Sequence, residues 1–400
     1  MNLSELKYKS NYYALTLLIF VIPLERKLIA PFTILFVISS LFNGSLLTVK
    51  SNYKTLFFSF IYILYCIGVI YSDNTHIAKN DLMTKMPLMI IPLGFAISKI
   101  EWKKEFNKIF KSFIDGCFAS TLIALVYSFV QFYFNNKGSS FFYGNISLFA
   151  HPSYLAMLLN LAIIYIYYHY FKTNLFSIKK LLLTAFFSIY ILLLASKTGL
   201  ITMIITHLIF MIVFAFKKKK FLKSGVFILS MILLITLAYK KSNTFKNRID
   251  DLFTLSTTEK NHESSTAARS TIWAICLDKI IEQPLLGYGT GNEKNILVEE
   301  YKKRELKYLL EKELNAHNQF IQTTLALGLI GGLCLLLMIV VPIYYSIKTK
   351  HIFYLSFLLL ITINFLTESM LERQVGIIFY TVFNSLFFVY HFNKNPRINN

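Results

Sequence analysis

The sequence predicts an all-α polytopic membrane protein: about twelve transmembrane helices and one large outer loop carrying short amphipathic helices. Three observations predict it. Hydrophobic residues make up 55% of the 400 residues and charged residues only 16%, against about 25% charged in soluble domains. The mean hydropathy is +0.54. The apolar residues gather in runs long enough to cross a bilayer, and Lys and Arg are distributed unevenly between the flanks of those runs. Such a composition excludes a water-soluble enzyme, a disordered chain and a coiled coil.

The predicted spans are 12–24, 28–43, 55–72, 86–98, 112–134, 152–171, 181–195, 198–216, 224–239, 319–346, 352–367 and 375–391. With the N-terminus placed in the cytoplasm, inner segments hold 21 Lys and Arg, and short outer loops hold 7. Another 13 fall in one long loop, where the rule does not apply. The bias predicts that both termini are cytoplasmic. It also accounts for much of the net charge of +20, so the run Lys217 to Lys220 reads as an anchor at anionic lipid and not as a nucleic-acid patch. The chain thus divides into 1–239 with nine spans, the outer loop 240–317, and 318–400 with three spans, forming one integrated membrane domain. The first apolar run lacks a small-residue cleavage site and leads straight into another, so no cleaved signal peptide is expected. Cys66, Cys117, Cys276 and Cys334 form no CxxC pair, and neither a disulfide framework nor a zinc site follows.

The outer loop is too short for an enzyme domain with a large core of its own, so it is expected to lie on the membrane bundle. Residues 266–283 have helical periodicity, with Ile272, Trp273, Cys276, Leu277 and Ile280 on one face. Ser264, Ser265 or Thr266 is the expected cap, Pro284 the end, and GYGTGN (287–292) a turn. That glycine-rich run follows a helix, not a strand, which excludes a nucleotide loop. A second amphipathic helix is predicted over 294–314, with Leu306, Leu309, Leu310 and Leu314 inward and Glu299 and Lys303 on a solvated face.

Few polar residues near the outer face suggest chemistry. His317 closes the outer loop and opens an apolar span, where an imidazole can act as a base near neutral pH. His317 and Asn318 are followed by Gly328 and Gly331, glycines that let another helix approach closely. Arg269 lies near the start of the first loop helix, an end that does not favour a cation unless an anion is nearby. Lys197 sits in an outer turn, His151 precedes Pro152 at a span start, and His207 lies mid-span as a packed or cavity-facing group. Glu368, Glu372 and Arg373 share the last outer loop, where they form a local ion network or bound the acceptor site, with surface pairing the leading expectation. Asp250 and Asp251 lack a third ligand, so no metal is expected.

The order His317-Asn318, nine residues, Gly328, two residues, Gly331 resembles the signature of the O-antigen ligase family, which is related to O-antigen polymerases and bacterial O-oligosaccharyltransferases. Further motifs agree. SKTG (196–199) resembles an SRTG-like outer turn, with Lys197 in place of Arg. Arg269 leads to Pro284, Gly287 and Gly289, similar to a P-x-x-G-x-G turn, and HPSYLA begins at His151. The resemblance implies a glycosyltransferase of the bacterial inner membrane that needs no metal or cofactor, with the large loop in the periplasm. The implied donor is a glycan on undecaprenyl diphosphate, and the implied acceptor a hydroxyl of lipid A–core. His317 is then the base or acceptor-orienting group and Arg269 a diphosphate ligand. Lys197, Asn318 and His151 are expected to bind substrate, with Arg248 a second loop cation for the same purpose. Membrane lipids, but no nucleic acid, are the other expected partners. A polymerase, a protein O-oligosaccharyltransferase and, in another class, a twelve-span transporter are the competing readings. The absence of a repeat between the halves weighs against the last.

Overall fold

The computed structural model describes residues 2–44, 46–136, 138–175, 177–253 and 265–392. Lys137, Lys394, Arg397 and Ser264 lie outside the described residues. Among the described residues all regular structure is helical. Each predicted apolar segment falls on a helix. Seven helices are long and apolar enough to cross a membrane: Arg26–Asn43, Trp102–Asn135, Pro152–Thr173, Lys197–Lys218, Phe221–Lys241, Gln319–Lys348 and Gln374–His391. The other predicted spans fall on helices that are shorter or more polar. Pro87–Ile97 has 11 residues, about half the length that a hydrocarbon core of about 30 Å requires. Leu3–Val21 opens with Glu5, Lys7 and Lys9. Apolar side chains stand exposed along the long helices, including Leu222, Val226, Leu229 and Leu233 on Phe221–Lys241, as suits a surface solvated by lipid.

The chain forms two compact units. One comprises Met1–Phe113, Ser256–Lys350 and Asn364–Asn400. Its core is aromatic: Trp102 stacks on Phe95, and Phe106 stacks on Tyr390 with centroids 3.8 Å apart. Asn11 is a polar hub within it, donating to Ser39 and Ser40 and accepting from Ser98. The other unit comprises Ile114–Leu255 and His351–Ile363. Here Pro152–Thr173 and Lys197–Lys218 approach closely, because a Cβ on Gly199 would collide with Ala156. Asn160 donates to Gly199 O and Thr202 Oγ1 across the same contact.

The segment that follows residue 264 builds a small core within the first unit. Ala268, Ile272, Ile275 and Cys276 of helix Ser265–Glu282 are buried against Leu297, Tyr301, Leu309 and Leu325. Leu277, expected on this face, is instead 53% exposed. The expected single helix over 294–314 is two, Glu293–Lys303 and Lys307–Lys312. The break is a left-handed cap: Glu305 has φ +56°, its N–H donates to Lys302 O, and Leu306 N–H donates to Tyr301 O. That pattern satisfies the terminal carbonyls and turns Leu306 back onto the core. Glu299 and Lys303 are exposed, as expected of the solvated face, but Glu300 between them is not. Glu300 is buried and bonds Lys279, Lys303 and Arg304.

The glycine signature has a different use from the expected one. Gly328 breaks the Gln319–Lys348 helix with φ +64° and ψ −168°, a conformation essentially reserved for glycine. The break frees backbone groups of the long helix, and the loop segment 284–290 satisfies them. Leu329 N–H donates to Pro284 O, Tyr288 N–H to Leu325 O, and Gly289 N–H to Ala326 O. A Cβ on Gly328 would collide with Leu285 O, and one on Gly287 with Gly328 N. The approaching partner is therefore this turn, backbone to backbone, and not another helix. Thr290 extends the seam by donating to Gly68 O through its N–H and to Tyr65 O through its hydroxyl.

Gly328→Ala is expected to destabilise the protein by about 2–6 kcal/mol, from backbone strain plus overpacking. Gly225→Ala, where an added Cβ meets nothing within 4 Å, is the control. Thermal unfolding in detergent checks both, and equal melting temperatures for the two variants would remove the role assigned to the break.

Candidate functional site

Arg269 and His317 meet at one carboxylate. Arg269 Nη2 lies 3.5 Å from Glu368 Oε1, and His317 Nδ1 lies 3.2 Å from Glu368 Oε2. The three side chains are 24%, 27% and 14% exposed respectively, so they are held by the protein yet reachable. A carboxylate only accepts, so His317 donates from Nδ1. That fixes the tautomer and leaves Nε2 as the basic nitrogen. The sequence reading expected Glu368 to pair at the surface; instead it joins two groups that lie 48 residues apart in sequence.

Local structure explains the placement. Asn318 caps the Gln319–Lys348 helix, its Oδ1 accepting from Phe320 N–H and Ile321 N–H. This role occupies the oxygen of a residue expected to bind substrate. His317 itself has φ +45°, a left-handed conformation that costs a non-glycine residue energy. Side chains hold it there. His317 N–H donates to Asn315 Oδ1, Ala316 N–H to Gln322 Oε1, and Trp273 Nε1–H to Ala316 O. Trp273 lies one helical turn after Arg269. The helix that carries the cation thus grips the backbone next to the imidazole.

In the second unit, Lys197 and His151 stand at the N-termini of two packed helices. Ser196 caps Lys197–Lys218, accepting from Gly199 N–H, and its hydroxyl donates to Ser153 Oγ over 3.4 Å. His151 caps Pro152–Thr173, with Nδ1 accepting from Ser153 N–H, and is exposed. Lys197 is half-buried. Helix N-termini favour anions, so these residues share an end that suits negative charge. Arg248 belongs to helix Asn243–Phe253, but its side chain lies outside the described residues, as does that of Asp251. Asp250 accepts from Tyr239 OH. His207 is buried beside a cavity of about 540 Å³ lined by Tyr167, Met203, Phe210 and Phe227, and its Nε2 lies 3.1 Å from Ser188 Oγ.

Sequence reasoning missed a second ionic group. Lys85, counted there only as a topology marker, is fully buried in the first unit. Its ammonium lies 2.5 Å from Asp81 Oδ1, 2.8 Å from Glu372 Oε2 and 4.8 Å from the Tyr65 ring centroid. Glu372, expected at the surface, instead turns inward to this ammonium. Asp81, Glu293 and Glu372 each bring one oxygen to within 4.8 Å of the others. Three carboxyls and one ammonium carry surplus negative charge. Burial and then the neighbouring Glu372 and Asp81 push the Glu293 carboxyl up to about 8, so it keeps its proton at neutral pH.

Comparison with known proteins agrees with the motif reading. Residues 181–336 match the family model described as O-Antigen ligase. The stretch contains Lys197, Arg269, His317, Gly328 and Gly331. A Haemophilus influenzae protein named only as uncharacterized is 28% identical over 132 residues, 30% of this chain and 33% of its own. A Rickettsia conorii protein whose name reads "Putative polysaccharide ligase" is 40% identical over 73 residues, 17% of each chain. The chain thus matches a third or less of the length of either relative. The resemblance to O-antigen ligases is shown over the matched stretch.

The buried carboxyls also set how stability depends on pH. Glu293 titrates near 4.5 when unfolded and near 8 when folded. Between those values the unfolded chain has released a proton that the fold retains, so stability falls as pH rises through this window and then levels off. Glu293→Gln is expected to flatten part of that fall and to raise the melting temperature at pH 8. Melting curves from pH 5 to pH 9 test this, and parallel curves for the two proteins would contradict it.

Proposed function

We propose that the protein transfers a glycan from undecaprenyl diphosphate to a sugar hydroxyl of lipid A–core at the periplasmic face of the bacterial inner membrane. The observation that carries this reading is the convergence on Glu368 of His317 and Arg269, both of which lie inside the stretch that matches O-antigen ligases. The supporting topology is twelve spans with both termini cytoplasmic, in which shorter helices such as Ile178–Leu194 and Ile352–Thr367 also cross, and the loop 240–317 is periplasmic.

The acceptor hydroxyl oxygen attacks the anomeric carbon of the donor sugar and passes its proton to His317 Nε2. The bond from that carbon to the diphosphate oxygen breaks, and undecaprenyl diphosphate leaves with the electron pair. Glu368 holds the imidazole in the correct tautomer and stabilises the imidazolium that forms, as an orienting carboxylate does in other base-assisted transfers. A diphosphate leaves as an anion and needs cations more than protons. Arg269 offers a planar fork for it, and Lys197 a point charge at a helix N-terminus. His151 and Arg248 are assigned to the glycan or diphosphate, while Asn318 acts through its cap. The proton transfer and charge neutralisation are supplied by side chains, so the reaction is assigned no metal or cofactor.

The test is a glycolipid gel on a deletion strain complemented with wild type, His317→Ala or Arg269→Lys, with undecaprenyl-linked glycan quantified in parallel. His317→Ala is expected to lower transfer by about 10²–10⁴-fold, as for loss of a general base. It should leave bare core and polymer stranded on undecaprenyl. Arg269→Lys, which keeps the charge and loses the fork, should retain partial transfer. Core carrying a single repeat would identify a polymerase, and an unchanged ladder would overturn the assignment.

A further inference from the structure

We propose that Lys85 is a positioning residue for the transfer reaction: acting through Glu372, it sets the turn that holds Glu368 against His317 and Arg269. The inference rests on the catalytic reading of His317 given above. Glu368 and Glu372 are the two ends of one short turn. Within it Met370 N–H donates to Glu368 O and Glu372 N–H donates to Ser369 O. The turn is anchored from two sides. Leu371 N–H donates over 2.6 Å to Gln319 Oε1, from the first residue of the helix that His317 precedes. Glu372 Oε2 accepts from the buried Lys85 ammonium. One anchor therefore sets the turn relative to the imidazole's helix, and the other fixes its far end.

A buried ammonium is tolerated only when charges and hydrogen bonds compensate it. Here the compensation links parts of the chain distant in sequence. Lys85 and Asp81 belong to helix Thr75–Lys85, Glu293 opens Glu293–Lys303, and Glu372 ends the turn. Removing the ammonium would leave Asp81 and Glu372 as neighbouring buried carboxylates, with Glu293 beside them. Their repulsion would be relieved by moving the turn or by taking up protons. Either change reaches Glu368, whose two oxygens must meet Arg269 and His317 at once. Lys85→Arg keeps the charge in the knot, whereas Lys85→Met keeps only bulk.

The experiment uses the full chain in lipid nanodiscs, with undecaprenyl-diphosphate-linked glycan as donor and lipid A–core as acceptor. It compares wild type, Lys85→Met, Lys85→Arg and Glu372→Gln by kcat, by KM, and by the pH dependence of diethyl pyrocarbonate modification at His317, read by peptide mass spectrometry. Lys85→Met is expected to lower kcat about 10²-fold, the effect of a small misplacement of a reacting group, with KM little changed. The pH dependence of His317 modification should change as its carboxylate partner withdraws. Lys85→Arg should recover most of the rate, and Glu372→Gln should shift both readouts in the Lys85→Met direction. An unchanged His317 titration in Lys85→Met, with or without loss of rate, overturns the proposal. Should Lys85→Met fail to fold, Glu372→Gln decides by the same two readouts. If wild type transfers no glycan, or if His317→Ala matches it, the functional reading fails. The modification profile of His317 still decides whether Lys85 positions Glu368.

Discussion

The backbone of an apolar helix cannot be broken without giving its freed groups new partners. The break at Gly328 is the constraint on which the rest of the first unit depends. Its freed N–H and C=O groups are met by residues 284–290, which are the continuation of the helix that carries Arg269. The His317 helix and the Arg269 helix are therefore joined by main-chain hydrogen bonds at one end and by the Trp273–Ala316 bond at the other. Two fixed points set the position of one helix along the other. The glycines at 287, 289 and 328, all at positive φ, are required by that seam. A sequence signature that begins with a catalytic-looking His-Asn thus ends with residues whose work is architectural.

This seam makes sense of the site's economy. An arginine and an imidazole on one carboxylate form a compact cluster, in which Glu368 balances the Arg269 charge and orients the neutral imidazole. The cluster is partly exposed, so the ion pairs contribute modestly to stability, and their value lies in geometry. His317 also sits in a strained backbone conformation that only its surroundings maintain. Strain of this kind persists where neighbouring contacts over-determine a residue. Here the contacts are identifiable as Asn315, Trp273 and Gln322, all acting on the backbone of residues 316 and 317. An imidazole fixed by its main chain loses little entropy when it meets its acceptor, which is the condition for efficient proton transfer.

Much of this was legible in the sequence, for definite reasons. Apolar runs and basic flanks report on lipid and water, which act residue by residue, and so the helices fall where the pattern puts them. Length was less legible: Pro87–Ile97 shows that an apolar run does not fix how far a helix extends. The loop helix opening at Ser265 was readable because capping is local, whereas Asn318, read as a substrate ligand, is a cap. Glu368 was not, since nothing in a sequence reveals which of several loop carboxylates will lie beside a histidine 51 residues earlier. Lys85 was misjudged for a related reason. A positive charge in an outer loop is ordinarily solvated, and only the tertiary structure brings Asp81, Glu293 and Glu372 around it. The split of the second loop helix escaped notice because its left-handed caps fall on Glu305 and Glu313 instead of glycine.

The two ionic groups of the first unit have different balances of charge. At the partly exposed cluster one guanidinium and one neutral imidazole share one carboxylate, so the group gains a positive charge only when the imidazole takes up a proton. In the buried knot three carboxyls lie around one ammonium, and a proton on Glu293 reduces the excess of negative charge. The Lys85 ammonium is held by Asp81 and Glu372 at once, and a buried charge drawn away from its partners is costly, so the knot tolerates little displacement and is suited to act as a fixed reference. The partly exposed cluster must instead change its charge during a reaction as the imidazole gains and loses a proton. Joining the two through the turn 368–372 attaches the part that must change to the part that cannot. The arrangement separates the stable charge pairing from the reactive one while holding both on the same five residues.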